Sequence, residues 1–198
     1  MKTTYVIGIT GGIAGGKTAV SNILAQKGEY IIDADVISRE IIKHGTIGEQ
    51  LLLEAFPEAF NNGVLNREML REIVFNDEKK LKTLNDITHP LIRKEIEKRI
   101  KKADCDQVYL VVPLMFESGF NKLCDYIVTI VADEDIRIER LMKRNNISKE
   151  LAKKIINSQS SDDERIAHAD SVIINNGDIA CLQKEVNKFN EEVKKHRK

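Results

Sequence analysis

Short apolar runs, rich in β-branched residues, alternate along the chain with stretches of helical pattern. The runs lie at 4–9, 30–33, 107–112, 126–131 and 171–174. The stretches between them carry apolar residues three and four positions apart, as at Ile37 and Ile41, which is typical of helices with one buried face. Strands that alternate with helices predict an α/β fold, in which about five parallel strands form a sheet covered by helices.

The region from Val36 to Asp104 departs from this alternation, because its pattern is helical throughout. A simple crossover between parallel strands needs far fewer residues, so we predict an inserted helical subdomain. Gly45, Pro57 and the pair His89-Pro90 should divide it into separate helices. His89 has two interpretations: it contacts a second substrate, or it only ends one helix before Pro90 opens the next.

A glycine-rich stretch joins the first strand to the first helix. Gly11 to Thr18 read Gly-Gly-Ile-Ala-Gly-Gly-Lys-Thr, which fits the G-x-x-x-x-G-K-[ST] phosphate loop at every required position. The backbone N–H groups and the helix N-terminus would surround phosphates, Lys17 would add a charge, and the Thr18 hydroxyl would bind Mg²⁺. The alternative is a glycine-rich turn with a solvated lysine. The residues expected at the nucleotide phosphates are Gly12, Ile13, Ala14, Gly15, Gly16, Lys17, Thr18 and Ala19.

Carboxylates follow two of the predicted strands. Asp33 and Asp35 come at the end of the second strand, where ligands bind in open α/β sheets, so one of them would accept a proton or orient hydrated Mg²⁺. Asp35 has a second interpretation, as the cap of a helix beginning at Val36. Pro113 and Leu114 follow the third strand, where many phosphate-loop proteins carry a metal-binding aspartate, and Glu117 is the acid nearby.

Arginines recur on one predicted helical face between the fourth and fifth strands. Arg137, Arg140 and Arg144 are three and four residues apart, and such a face would clamp phosphates as a mobile lid. Gln159 and Arg165 extend this polar character into a second helix. The alternative is a solvated amphipathic helix with internal pairs such as Asp133 with Arg137.

Composition narrows the function classes. The 31 basic and 31 acidic residues cancel, so no overall charge favours nucleic acid or a membrane surface. No run of about 18 apolar residues is present to span a bilayer, and the first strand starts almost at once, so we expect a cytoplasmic protein. Cys105, Cys124 and Cys181 share no zinc or redox spacing, and we expect reduced thiols that mostly serve packing.

The remaining motifs separate the classes of phosphate-loop protein. A guanine-nucleotide switch needs the base-reading pattern N-K-x-D, and the nearest match, at 121–124, ends in Cys124. A small-molecule kinase fits better, with ATP on the loop, the acceptor on the helical insert and the arginine helix as lid. A nucleotide-dependent switch or binding module is the alternative.

An ordered set of motifs resembles the dephospho-CoA kinase family almost from end to end. These motifs are Thr10 to Thr18, Asp33-Ala34-Asp35, His89-Pro90-Leu91-Ile92, Val111 to Glu117, Arg140 to Arg144, Gln159 to Arg165, and Ala169 to Gly177, which includes Asn175-Asn176-Gly177. Ala14 and Gly15 stand where family members often have Gly and Ser, and Thr18 where many have Ser. These changes are compatible with the backbone or preserve the hydroxyl.

The resemblance implies transfer of the γ-phosphate of ATP, with Mg²⁺, to the 3′-hydroxyl of the ribose of dephospho-CoA, the last step of CoA synthesis. It implies a phosphate-loop nucleoside-triphosphate hydrolase-type fold in three parts. These are a nucleotide-binding core (1–35, 106–136 and 169–198), a helical CoA-binding subdomain (36–105) and a lid (137–168).

The same resemblance implies the roles of single residues. Asp33 would be the catalytic base, Lys17 and Arg140 would assist catalysis, and Asn175 would lie near adenine. The residues expected at the acceptor are Thr10, Asp33, Asp35, His89, Leu114, Glu117, Arg144, Gln159 and Arg165. We expect a monomer or weak homo-oligomer whose partner is a small molecule.

Overall fold

The computed structural model describes residues 4–75 and 77–197. Its strands are β1 (Tyr5–Gly11), β2 (Ile31–Asp33), β3 (Phe60–Asn61), β4 (Val64–Leu65), β5 (Gln107–Val111), β6 (Tyr126–Val131) and β7 (Ser171–Ile174). Its α-helices are α1 (Lys17–Gln26), α2 (Ala34–Glu40), α3 (Ile47–Ala55), α4 (Arg67–Phe75), α5 (Glu78–Lys102), α6 (Glu134–Asn145), α7 (Lys149–Asn157), α8 (Asp162–Ala167) and α9 (Ile179–His196). Short 3₁₀ helices lie at Pro57–Ala59 and Phe120–Leu123.

The predicted α/β fold is confirmed, with a parallel sheet in the order β2-β5-β1-β6-β7. In the register of the central strand, Ile7 is opposite Tyr109 on one side and Tyr126 on the other. β1 and β6 are buried along almost their whole length, which explains their continuous apolar runs.

The chain divides into two compact units. The first runs to Ile32 and resumes at Ala103, so it contains most of the sheet together with α1 and α6 to α9. The second is Asp33–Lys102, which contains α2 to α5 and the small hairpin of β3 and β4.

The core of the first unit lies between the sheet and the helices α1 and α9. Ile7, Ile9 and Val128 contribute fully buried side chains from the strands, while Leu24 and Val186 do so from the helices. Each fully buried aliphatic side chain contributes roughly 1.5–3 kcal/mol of transfer free energy. This packing fixes the carboxyl ends of the strands, where the phosphate loop begins.

The second unit corrects the prediction that His89-Pro90 separates two helices. α5 continues through Pro90, and this helix packs against α2, α3 and α4. Proline fits helical φ, but it lacks the N–H that would bond to the carbonyl four residues earlier, and its ring crowds that carbonyl. Packing of the buried Ile92 and Ile96 on the following turns outweighs that loss.

The cysteines are free thiols, but the expectation that they mostly pack in the core is wrong for two of them. Cys105 and Cys181 are exposed, whereas Cys124 is partly buried. Burial, with a smaller contribution from Asp125, raises the pKa of the Cys124 thiol to about 12. Within the described residues, no helix combines the length and apolarity needed to cross a membrane.

Candidate active site

The ends of four parallel strands in the first unit lead into the predicted site segments. The phosphate loop follows β1, Val112 to Glu117 follow β5, Asp133 precedes α6 after β6, and Asn175 follows β7. Because the carboxyl ends of parallel strands lie at one edge of a sheet, the topology brings these segments together. The contacts of the side chains in these segments, described next, show which residues lie next to the phosphate loop.

The phosphate loop has the backbone that its glycines predict. Gly11 and Gly16 have φ of 148° and 114°, values that residues with a side chain rarely adopt. Ala14 is also left-handed, with φ 60°, although it carries a Cβ. A turn bond from Gly15 N to Gly12 O, 3.1 Å long, closes the loop.

The start of α1 presents the groups that bind phosphate. No side chain caps this end of the helix, and its first turn holds no acidic residue, so its N–H groups carry a partial positive charge. The Lys17 ammonium donates to Gly11 O at 2.6 Å and to Gly12 O at 3.1 Å. Thr18 is exposed, and its hydroxyl has no hydrogen-bond partner within the described residues.

Asn175 forms one wall of the phosphate loop. Its side chain is 4% exposed, and its amide nitrogen donates to Gly15 O at 2.8 Å. Its side-chain oxygen accepts from Arg140 Nη2 at 3.5 Å, while its backbone N–H donates to Val131 O. Asn175 therefore connects the loop to α6.

The three arginines of α6 lie in different environments. Arg137 is buried and pairs with Asp162 at 3.0 Å, so the alternative pairing with Asp133 is wrong. The Arg137 side chain also donates through Nε to Ile13 O. Arg140 is half-buried, and its Nη1 has no hydrogen-bond partner among the residues described. Arg144 is exposed and donates to Asn145.

Gln159 and Arg165 do not share a helix face. Gln159 follows the end of α7, and its Oε1 accepts from Ile13 N at 2.7 Å. Arg165 lies in α8, is 2% exposed and pairs with Asp162 at 3.1 Å, and its Nη2 lacks a hydrogen-bond partner in the described part of the chain. Gln159 therefore connects the segment after α7 to the phosphate loop, whereas Arg165 pairs with a residue of its own helix.

The segment after β5 is held from two directions. The buried Thr10 hydroxyl donates to Pro113 O at 3.2 Å, which fixes where this segment leaves the sheet. Leu114 is 48% exposed. From the other direction, the Glu117 carboxylate accepts from the hydroxyl of Ser160, the residue that follows Gln159, at 2.7 Å.

In the second unit, Asp33 ends β2 and caps α2. One of its side-chain oxygens accepts from Asp35 N at 2.8 Å and from Val36 N at 3.3 Å. The alternative that Asp35 caps a helix starting at Val36 is therefore wrong, because the helix begins at Ala34. Asp35 is exposed in the first turn, and His89 is half-buried within α5.

Sequence reasoning missed two residues of this region. Asp162 joins Arg137 to Arg165, and Ser160 holds Glu117. Asp162 begins a six-residue helix behind the capping residue Ser161, so its position suggested only a favourable charge at a helix start. Its three-residue spacing from Arg165 was the one available signal of an ion pair.

Comparison with known proteins identifies the family. The family model described as dephospho-CoA kinase matches residues 5–180. The chain is 40% identical over 184 residues to the dephospho-CoA kinase of Shewanella oneidensis, covering 92% of this chain and 90% of that protein. The chain is 41% identical over 190 residues to the dephospho-CoA kinase of Fusobacterium nucleatum, covering 95% of this chain and 98% of that protein.

A solved structure agrees with these relatives. The dephospho-CoA kinase from Campylobacter jejuni superposes with a TM-score of 0.72 at 29% identity, covering 98% of each chain. The chain therefore belongs to the dephospho-CoA kinase family, and it is an enzyme of ATP-dependent phosphorylation of dephospho-CoA, the final step of CoA biosynthesis.

Proposed function

We propose that ATP binds to the phosphate loop of the first unit while the helical second unit holds dephospho-CoA, and that the γ-phosphate passes to the 3′-hydroxyl of its ribose. The observation that carries the nucleotide assignment is a pair of buried, unpartnered guanidinium nitrogens. Arg140 Nη1 and Arg165 Nη2 lack hydrogen bonds within the described residues of a unit that also contains Lys17. Buried cationic donors are costly without an acceptor, and phosphate oxygens would supply one.

The chemistry follows from charge. Phosphoryl transfer spreads negative charge over the γ-phosphate oxygens, so Lys17, Arg140 and the N–H groups of the loop would stabilise the transition state. Asp33 would act as the base that accepts the proton of the acceptor hydroxyl. In the lid assignment, residues 137–168 exclude water that would otherwise hydrolyse ATP.

Mg²⁺ fits the donors at the start of α1. The exposed Thr18 hydroxyl is an oxygen ligand of the kind that this ion prefers, and we propose that it holds the ion together with ATP phosphates. When bound, the ion would neutralise charge on the phosphates. Lys17 and the loop amides act on the same phosphates without it.

A pocket in the second unit suits the acceptor. It has a volume of about 350 Å³, and its lining combines apolar side chains such as Ile41 and Leu91 with two lysines, Lys94 and Lys98, and two carboxylates, Glu40 and Glu95. Glu95 pairs with Lys98, so we propose that Lys94 meets the diphosphate of dephospho-CoA while the apolar side chains meet its uncharged arm. Lys94→Ala should raise the KM for dephospho-CoA and leave the KM for ATP unchanged, with the exposed Lys101→Ala as control.

We also propose a monomer or weak homo-oligomer that works in the cytoplasm without nucleic acid. The support is compositional: 31 basic residues balance 31 acidic ones, and the thiols are free. The balance leaves no overall charge to attract a polyanion.

An ADP-release assay with ATP and Mg²⁺ tests the function directly. Dephospho-CoA, pantothenate, nucleoside monophosphates and shikimate are offered in turn, and only dephospho-CoA should give acceptor-dependent ADP release. Lys17→Ala should abolish most turnover at an unchanged melting temperature, since its ammonium donates to loop oxygens and acts on the phosphates of the ligand. Tight nucleotide binding without any acceptor-dependent turnover would instead support a switch or binding module.

A further inference from the structure

Residues 137–162 hold both backbone groups of one phosphate-loop residue. Ile13 N donates to Gln159 Oε1 at 2.7 Å, and Ile13 O accepts from Arg137 Nε at 3.0 Å. The side chains of Ile13 and Ala14 also pack on the apolar cluster of α6 and α7, which includes Leu141 and Ile156. The loop is therefore fixed from outside by hydrogen bonds as well as by packing.

The loop needs such support because its backbone is strained where it is held. Ala14 follows Ile13 directly and has φ 60°, a left-handed conformation that is unfavourable for a residue with a Cβ. Arg137 also lies so close to Gly12 that a Cβ at that position would collide with the guanidinium group. Arg137 thus contacts the loop on the two residues that precede the strained one.

Asp162 determines where the Arg137 guanidinium lies. Its Oδ2 pairs with Arg137 at 3.0 Å and its Oδ1 with Arg165 at 3.1 Å. Both arginine side chains are at least nine-tenths buried. Two buried positive charges therefore share the one carboxylate of Asp162. Without that carboxylate, the arginines would repel each other in a poorly solvated site, and Arg137 would move.

We propose that Arg137, oriented by Asp162, is a positioning residue that holds the phosphate loop in the conformation that accepts ATP. Arg137 acts through Ile13 O and Gly12 and does not take part in phosphoryl transfer itself. The idea rests on ATP binding to this loop, so acceptor-dependent turnover of the unaltered enzyme is measured first; if that fails, the proposed function fails and not this assignment.

The test compares Asp162→Asn and Arg137→Met with Asp163→Asn. Asp163 is exposed in the same first turn of α8, so its variant loses the same charge at the helix start without touching Arg137. We expect Asp162→Asn and Arg137→Met to lower kcat/KM for ATP roughly 10- to 100-fold, as misplacement of a site by about 1 Å does. The change should lie mainly in KM for ATP, while KM for dephospho-CoA and the Asp163→Asn kinetics stay unchanged.

The double variant shows whether Asp162 acts through Arg137. Asp162→Asn should add little to the loss caused by Arg137→Met, because the carboxylate then has no Arg137 to orient. Asp162→Glu should restore part of the activity. Losses that multiply in the double variant would assign Asp162 to Arg165 and overturn the proposal.

Melting curves separate positioning from folding. A lower melting temperature with an unchanged KM for ATP well below it would show a structural role only, and would also overturn the proposal. Should Asp162→Asn fail to fold, Arg137→Met carries the test alone, since its unbranched side chain replaces most of the buried aliphatic stem and leaves Asp162 paired with Arg165. A normal KM for ATP in that variant would refute the role of Arg137.

Discussion

The side-chain amide of Asn175 donates a hydrogen bond to the backbone oxygen of Gly15, at 2.8 Å and out of contact with solvent. These residues are 160 positions apart in the sequence, one after the last strand of the sheet and the other in the loop after the first. Gly16 lies so close to the same amide that a Cβ there would collide with it. The phosphate loop is thus built against a residue from the far end of the chain.

Asn175→Ala should weaken both the fold and the binding of ATP. The change leaves the buried Gly15 oxygen without its partner, which costs about 1–3 kcal/mol of unfolding free energy. Urea denaturation measures this loss, and a nucleotide titration measures the affinity. Asn176→Ala is the control, because that exposed neighbour accepts from Asp133 N just before α6 and does not support the loop residue Gly15. Unchanged stability and affinity in Asn175→Ala would remove Asn175 from the loop's support, and its place near adenine would remain a prediction.

Arg140 and Arg144 form a matched pair for the lid hypothesis. They are one helical turn apart, but Arg140 has a buried nitrogen without a partner in the described chain, whereas Arg144 is exposed. Each alanine variant should lower kcat, the affinity for ATP, or both, with the larger effect at Arg140. Arg144→Ala should change the unfolding free energy by less than about 0.5 kcal/mol, as for most surface substitutions. Normal kinetics in both variants would show that neither arginine acts on the phosphates, and the lid hypothesis would fail.

The strands were predictable because a buried parallel strand needs a continuous apolar run. The runs at 107–112 and 126–131 contain the buried strands β5 and β6, and the phosphate loop was predictable because its glycines are required by its backbone. The contacts between segments were not predictable. Nothing near Arg137 in the sequence indicates a partner 25 residues away, and the bond from Asn175 to Gly15 depends on the order of strands in the sheet.

Pro90 lies inside α5, although proline usually ends or bends a helix. Pro90→Ala restores the missing N–H and with it the bond to the Asp86 carbonyl, so it should raise the unfolding free energy by about 1–3 kcal/mol. Position 90 is exposed, so the smaller side chain removes no core contact. Thermal unfolding measures the change, and Thr83→Ala, at another exposed position of α5, is the control for helix propensity, with the loss of one exposed hydroxyl bond to Lys79 O included. A destabilised Pro90→Ala would mean that the proline itself stabilises α5, and the prediction would be wrong.

Asp33 carries a structural and a proposed catalytic role, which substitution can separate. Asn caps a helix as well as Asp does, so Asp33→Asn should keep the bonds to Asp35 N and Val36 N and a near-normal melting temperature. If Asp33 accepts the proton of the acceptor hydroxyl, kcat should fall by roughly 10²–10⁴-fold, the usual range for a general base. ATP binding without Mg²⁺ should hardly change, because the loop amides and Lys17 supply it.

Asp33→Ala removes the cap together with the charge. Its kinetic loss should match that of Asp33→Asn, while its unfolding free energy should fall by a further amount of about 0.5–2 kcal/mol. Asp77→Ala is the matched control for this extra loss, since Asp77 precedes α5 in the same unit and accepts from Lys79 N and Lys80 N, as Asp33 does from the start of α2. That variant should lose similar stability at an unchanged kcat. Full turnover in Asp33→Asn would reduce Asp33 to a helix cap, and the catalytic carboxylate would then have to be sought at Asp35 or Glu117.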